Sequence, residues 1–413
     1  MKYLLLMIFF IYCSAGYAQW ISQTSGTNQN LYDIEFLNEN TGWAVGDAGV
    51  VIKTTNGGIN WINVPNPSIN AGGILVSVEP IDSSIVYVVG GHNVILKTTN
   101  GGQSWIEIRN GPFGAGYGFT GISYLNKDTL WFCGGNRVFR TFDGGNTLDS
   151  FYTPAFSTTD VYFKDIDIGL IGEEAEVYKT TNGGVNWFAT NVPDGGAVIF
   201  FRKLAVAENQ YAWVMGNNGT VFKTTNFGDT WALIDTIATG GFIPIHFSSA
   251  MTGWAGGTGN RLYKSTDGGF SWRREQTDTT SLAFIASIGF INDNIGWYVG
   301  GVGKVYKTTT SGQTIVSISE NNVQLPDDFV LYQNYPNPFN NQTKISFNIN
   351  KAGLYKFEVY TLLGERVLEV FNEEFHPGNY SVNVIADKLS SGVYIYRIKG
   401  NGIIKSKKFI LVK

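Results

Sequence analysis

The chain is poor in the residues on which most site chemistry rests. Its 413 residues include 2 Cys, 3 His and 4 Met. His92, His246 and His376 are scattered and show no ligand spacing, which argues against a histidine-built metal centre. Cys13 falls in the leading segment and leaves Cys133 alone, so no internal disulfide can staple the remainder. Basic residues are few: residues 1–328 hold 18 Lys/Arg against 27 Asp/Glu, a net of −9. An acidic body without a basic stripe is a poor nucleic-acid partner. There is no Ser/His/Asp nucleophile signature and no phosphate loop. No run is long and apolar enough to span a bilayer.

The first residues have a different composition. Lys2 precedes an apolar run from Leu4 to Tyr12, and Gly16 and Ala18 put small residues before Gln19. This pattern predicts a secretory signal peptide over 1–18, cut between Ala18 and Gln19. Tyr12 stands where a lipoprotein cysteine would be preceded by a small residue, so soluble export is expected rather than lipidation.

What the chain has in abundance is a repeat. KTTNGGINW (Lys53 to Trp61) recurs as KTTNGGQSW, RTFDGGNTL, KTTNGGVNW, KTTNFGDTW, KSTDGGFSW and KTTTSGQTI, beginning at Lys97, Arg140, Lys179, Lys223, Lys264 and Lys307. The basic residues are 44, 43, 39, 44, 41 and 43 positions apart. A period near 40 with turn chemistry in each copy predicts an all-β fold, a seven-bladed β-propeller over residues 19–316. Each copy has the form of an Asp-box. Asn56, Asn100, Asp143, Asn182, Asn226 and Asp267 are expected to be structural, their side chains accepting backbone N–H bonds two or three residues on. The seventh copy has Thr310 at that position.

A second signature precedes each box, as in Gly42-Trp43-Ala44-Val45-Gly46 and Gly296-Trp297-Tyr298-Val299-Gly300. Ten of the 11 tryptophans fill either this slot or the box slot, and Trp20 is left over. The seventh box has Ile315 where a Trp is expected. Trp20 therefore predicts an outer strand lent to the last blade from the other end of the chain; completion by Thr314 to Ile318 is the alternative.

Few positions offer chemistry. Asp33 and Asp160 lie on predicted first strands of blades one and four and are the candidate pair for a two-carboxylate hydrolase. The same positions also suit hydrogen bonding across the channel mouth. For binding, the glycine-rich segment from Gly111 to Gly118 holds aromatics outside every repeat slot, and Phe113, Tyr117 and Phe119 are the candidates. Such a loop could stack a sugar, grip a partner chain or cover the channel. No cofactor and no metal is expected.

Residues 329–413 differ again, with 11 Lys/Arg against 6 Asp/Glu, a net of +5. Alternating segments punctuated by Gly364, Gly378 and Gly392 predict a small Ig-like antiparallel β-sandwich, with 317–328 as linker. LYQNYPNPFNNQTKISF from Leu331, then VYTLLGERV and SSGVYIYRI, closes on KKFILVK at Lys413. This tail resembles the type A C-terminal sorting domain of the type IX secretion system. The sorting motif would be Tyr335, Pro336, Asn337, Pro338, Phe339 and Asn340. The resemblance implies passage through the periplasm, recognition by the secretion machinery, cleavage by a sortase-like peptidase, and release or attachment at the outer surface.

The repeats resemble the photosystem II stability and assembly factor family. The sorting tail belongs to bacteria that generally lack photosystem II, so this resemblance implies a scaffold rather than a photosynthetic role. The same repeat occurs in sialidases, xyloglucan hydrolases and sortilin-type receptors. A sialidase-like site needs an arginine triad. The propeller has only Arg109, Arg137, Arg140, Arg202, Arg261, Arg273 and Arg274, and Arg140 sits in the repeated basic slot. The expectation is a secreted or surface propeller, not an enzyme, that binds a protein or glycan. An extracellular glycoside hydrolase is the alternative.

Overall fold

A computed structural model describes residues 20–67, 73–109, 118–154, 156–173, 176–193, 203–216, 219–237, 244–275, 277, 284–312, 329–401 and 403–413. The leading segment with Ala18 and Gln19, the linker, and the aromatics Phe113 and Tyr117 lie outside these residues.

Seven four-stranded antiparallel sheets follow one another along residues 21–308, and the fold is an all-β propeller. In the first blade the strands are Leu31–Phe36, Gly42–Gly46, Val51–Thr54 and Ile62–Asn63, in that spatial order. The second strand of every blade is almost wholly buried, because a sheet covered on both faces has no solvent side.

The box turns follow from their side chains. Thr54 Oγ accepts the N–H of Gly58 at 2.8 Å, and Asn56 Oδ1 accepts the N–H of Asn60 at 2.9 Å. The reach is four residues, longer than the two or three expected, and it recurs at Asn100, Asp143, Asn182, Asn226 and Asp267. Gly57 and Gly58 have φ of +68° and +91°, which a Cβ would disfavour. The seventh box lacks the acceptor but keeps the hydroxyl: Thr308 Oγ accepts the N–H of Gly312 at 2.9 Å.

Blades are joined through rings. Trp297 of blade seven stacks on Phe36 of blade one, with centroids 3.5 Å apart and planes 7° apart, and Trp61 meets the same Phe edge-on. Trp131–Phe163–Trp187 and Trp213–Phe247–Trp272 repeat the arrangement. Where a glycine precedes the second-strand Trp it makes room: a Cβ at Gly42, Gly253 or Gly296 would stand 2.5, 2.5 or 2.4 Å from the Phe ring. At the sixth junction Trp254 stacks on Phe290, and the edge-on ring is Trp20, at 5.8 Å and 87°. Trp20 thus fills the box-tryptophan slot of blade seven. Ile21–Gln23 pairs antiparallel with Val305–Thr308 as the outer strand of that sheet. Gln23 extends the closure into blade one, donating to Gly57 O at 3.0 Å and accepting from Trp61 Nε1 at 3.3 Å.

The tail forms two facing antiparallel sheets. One holds Phe329–Leu331, Gln342–Ile349 and Gly378–Ile385. The other holds Gly353–Thr361, Arg366–Phe375, Gly392–Gly400 and Ile403–Leu411. Between them Phe347, Tyr355, Phe357, Tyr396 and Phe409 form the core. Of the sorting motif, Phe339 is buried against Phe409 while Tyr335 is exposed.

Trp20→Ala should lower the unfolding free energy by roughly 3–5 kcal/mol, the usual cost of truncating a buried aromatic. Denaturant melts measure it, and an unchanged midpoint would mean that the ring is closed by something else.

Candidate functional site: the axial channel

The innermost strands line a channel on the propeller axis. The repeat register explains what faces it. Counting back from the second-strand Trp slot, position −10 is Asp33, Ser77, Gly121, Asp160, Lys203, Pro244 and Ser287. Position −8 is Glu35, Glu79, Ser123, Tyr162, Ala205, His246 and Gly289, each paired across from the slot residue. Residues two apart on a strand share a face. The two positions therefore stack as two rings around one cavity, to which both contribute.

Asp33 and Asp160 come together here, as the hydrolase alternative requires, but their oxygens are engaged by the protein. Asp33 accepts Ser287 Oγ at 2.7 Å from blade seven and the N–H of Val78 at 3.1 Å from blade two. Across the axis, Lys203 of blade five reaches Asp33 Oδ1 at 3.2 Å. Asp160 accepts the N–H groups of Val161 and Leu204, both at 3.0 Å. Burial raises the Asp160 carboxyl, with Lys203 and these N–H groups opposing it. Desolvation alone would lower Lys203, yet Asp33, Asp160 and Glu35 hold it above the ordinary lysine value.

Sequence reasoning missed the second ring. Burial, reinforced by Asp33, pushes Glu35 up to about 8. Glu79 rises well above the carboxylate range by burial and the neighbouring Glu35. His246 falls to about 4, through burial and then Lys203, so it stays neutral. A signal existed: these residues recur eight positions before the Trp slot, and only aligning the repeats in columns reveals it.

Of the binding candidates, Phe119 is corrected. It is 2 % exposed and packs against Phe132 and Phe139, so it belongs to the blade core even though it borders the channel mouth. The mouth is a cavity of about 400 Å³ with Ile74, Val76, Thr120, Thr159 and Pro244 as walls and Lys203 at its inner end. Gly118, where the glycine-rich segment rejoins the blade, lies on its rim. Among the described residues no group of three or more His, Cys, Asp and Glu side chains is placed to hold a metal ion. Cys133 is buried, and burial pushes its thiol up to about 12, far from reactive thiolate chemistry.

Comparison with known proteins agrees with this geometry. Residues 333–413 match the family model for a secretion system C-terminal sorting domain. The chain ends in a sorting domain. Residues 13–115 match the model of the photosynthesis system II assembly factor YCF48. The photosystem II assembly lipoprotein Ycf48 of Synechococcus sp. (strain CC9902) is 27% identical over 167 residues, which is 39% of this chain and 49% of that protein. The chain thus spans about half the length of this curated relative. YCF48 solved with a D1 peptide superposes with a TM-score of 0.61 at 19% identity, over 71% of this chain and 98% of that one. The GH74 enzyme of Niastella koreensis gives 0.57 at 15% identity, over 80% of this chain and 59% of that one. At these identities the structures share the fold alone. Among the described residues no helix is long and apolar enough to cross a membrane. The sorting domain marks the chain for export to the cell surface or the extracellular space.

The proton on Glu35 gives a pH signature. Its folded value lies above its unfolded one, so between about 4.5 and about 8 the folded chain binds more protons and stability falls as pH rises. His246 acts oppositely, adding stability from about 4 up to its ordinary value. Glu35→Gln should therefore flatten the decline. Its melting temperature relative to wild type should rise by roughly 2 °C or more between about pH 5 and pH 8.5; a constant offset would show that Glu35 does not hold the proton.

Proposed function

We propose that the protein is a non-catalytic binding propeller, exported through its tail and holding a polypeptide or glycan at the channel mouth. The observation that favours binding is the commitment of Asp33 and Asp160. A hydrolytic pair needs one oxygen free to attack or to activate water and another free to protonate a leaving group. Here Asp33 ties blade one to three others, and Asp160 joins blade four to blade five. The mouth, by contrast, offers apolar and hydroxyl walls of the kind that bury ligand groups. Phe113 and Tyr117 belong to the segment that ends on its rim, and we assign them to ligand contact. YCF48, which shares the fold, has been solved bound to a D1 peptide, and this supports the reading.

Hydrolysis is the second reading, favoured by Glu35. A carboxyl that keeps its proton to about 8, with Glu79 nearby, resembles a general acid, and a GH74 enzyme shares the fold. Peptide and glycan arrays probed with the full chain separate the two. For a receptor, Phe113→Ala with Tyr117→Ala, or Ile74→Arg, should cut capture at least roughly tenfold, as loss of a buried anchor does, and Asp33→Asn should leave it. Polysaccharide turnover that disappears in Glu35→Gln or Asp33→Asn would overturn the binding reading.

The export role predicts a separate outcome. A chain lacking residues 329–413 should accumulate in the periplasm of a host that has the secretion system, because the address is gone. Equal amounts of truncated and full-length protein in the medium would refute it.

A further inference from the structure

The tail's second sheet has one side turned to its own core and one side turned away. On Gly392–Gly400, Tyr394, Tyr396 and Ile398 enter the tail core, so Ile395, Arg397 and Lys399 point outward. An outward isoleucine should be wet. Ile395 is instead 1 % exposed, and it belongs to the apolar cluster of blades five and six with Trp213, Ile234, Phe247 and Phe270. Leu362 packs against the same cluster.

The propeller side shows the matching anomaly. The residue after the two box glycines is solvent-facing in other blades: Ile59 is 77 % exposed and Val185 41 %. Phe270 in the same slot is 1 % exposed. Its cover comes from the tail. Arg397 Nη2 donates to Phe270 O at 2.7 Å, and the guanidinium lies 5.6 Å from the Phe270 ring and 4.9 Å from that of Tyr360. The turn at Gly364 approaches so closely that a Cβ there would stand 3.0 Å from Ile234 and 3.4 Å from Ala232 and Phe270. Charge agrees as well: the tail is basic, the remainder acidic, and Arg397 and Lys399 act favourably on Asp235.

We propose that Ala232, Ile234 and Phe270 form a docking surface for this chain's own sorting domain, which stays bound there after the segment joining them is cut. The occupant is residues 329–413, and the recognition elements are an apolar anchor, Ile395, and a guanidinium, Arg397, held between two rings and a backbone carbonyl. Cutting alone therefore leaves Phe270 and its neighbours covered, and only dissociation of the tail would uncover this apolar face.

The test introduces a site-specific protease sequence within residues 317–328 of the full chain, followed by cleavage and size-exclusion chromatography at about 10 µM. The two pieces should co-elute. Ile395→Asp or Arg397→Ala should weaken the association at least roughly tenfold, the range for a desolvated anchor, and the pieces should separate. Hydrogen exchange at residues 232–236 and 270 should accelerate in the same variants even before cutting, which keeps the test independent of how well the cut pieces behave. Separation of the wild-type pieces, or co-elution and unchanged exchange in both variants, would overturn the proposal.

Discussion

The contact on which the structure depends is the one between the repeated basic residue of one blade and a box-turn carbonyl of the next, made by Lys53, Lys97, Arg140, Lys223 and Lys264. Trp131 Nε1 and Arg140 both donate to Gly183 O, each at 3.1 Å. Trp213 Nε1 and Lys223 both donate to Gly268 O, at 2.9 and 3.1 Å. The cation also lies over the indole, Lys223 at 4.9 Å and Lys53 over Trp43 at 4.6 Å. One carbonyl thus collects a charged and a neutral donor in a site from which the stacked Phe helps exclude water, where such bonds are strong. Burial is deep enough to push Lys223 down to about 8. A linear row of blades leaves two open ends unless it closes, which is why so much weight falls on Trp20 and the three strand residues after it.

The clamps lie away from the axis, and this separation leaves the innermost strands free to vary. Box and Trp-slot residues repeat nearly unchanged, whereas position −10 runs through Asp, Ser, Gly, Asp, Lys, Pro and Ser. A repeat clamped at most of its junctions can tolerate the desolvation of Asp33, Glu35, Glu79, Asp160, Lys203 and His246 at its centre. Lys203 offsets part of that cost for Asp33 and Asp160, while Glu35 and Glu79 reduce theirs by keeping protons. Individuality in this molecule, and with it the capacity for a specific ligand, resides in the non-repeating columns.

Much of this was legible in the sequence. The period located the blades, and counting tryptophans against slots pointed to Trp20 because each slot is a packing requirement that something must fill. Other features were hidden for identifiable reasons. The second ring is hidden because within its own blade each of Glu35, Glu79 and His246 is an ordinary strand residue. Phe119 follows a glycine-rich segment and so looks like a ligand contact, yet the bulge between Phe119 and Gly121 breaks the strand alternation and turns it into the core beside Phe132. The four-residue reach of the box side chains goes with two successive residues of positive φ, Phe227 and Gly228 in blade five and two glycines in the other boxes that make it, a geometry that composition alone does not specify. Ile395 and Phe270 could not be read at all, since each looks like a routine exposed position until the other half of the chain covers it.

That cover changes the relation between address and cargo. Two bodies joined by one chain meet at an effective concentration on the order of mM, so even a weak contact is made while the join is intact. Cutting the join lowers that to the bulk concentration, and the contact must then stand on its own affinity. What supplies affinity here is an isoleucine out of water and an arginine whose hydrogen-bond acceptor is backbone. Neither depends on a long-range field, so salt should matter less than shape. Substitution at Phe270 leaves its carbonyl in place but removes the ring on which Arg397 rests, whereas substitution at Arg397 removes both interactions at once. The two sides of the contact are therefore unequal, and the tail holds the more sensitive half. The domain that directs export is in this way also fitted to the particular propeller it accompanies.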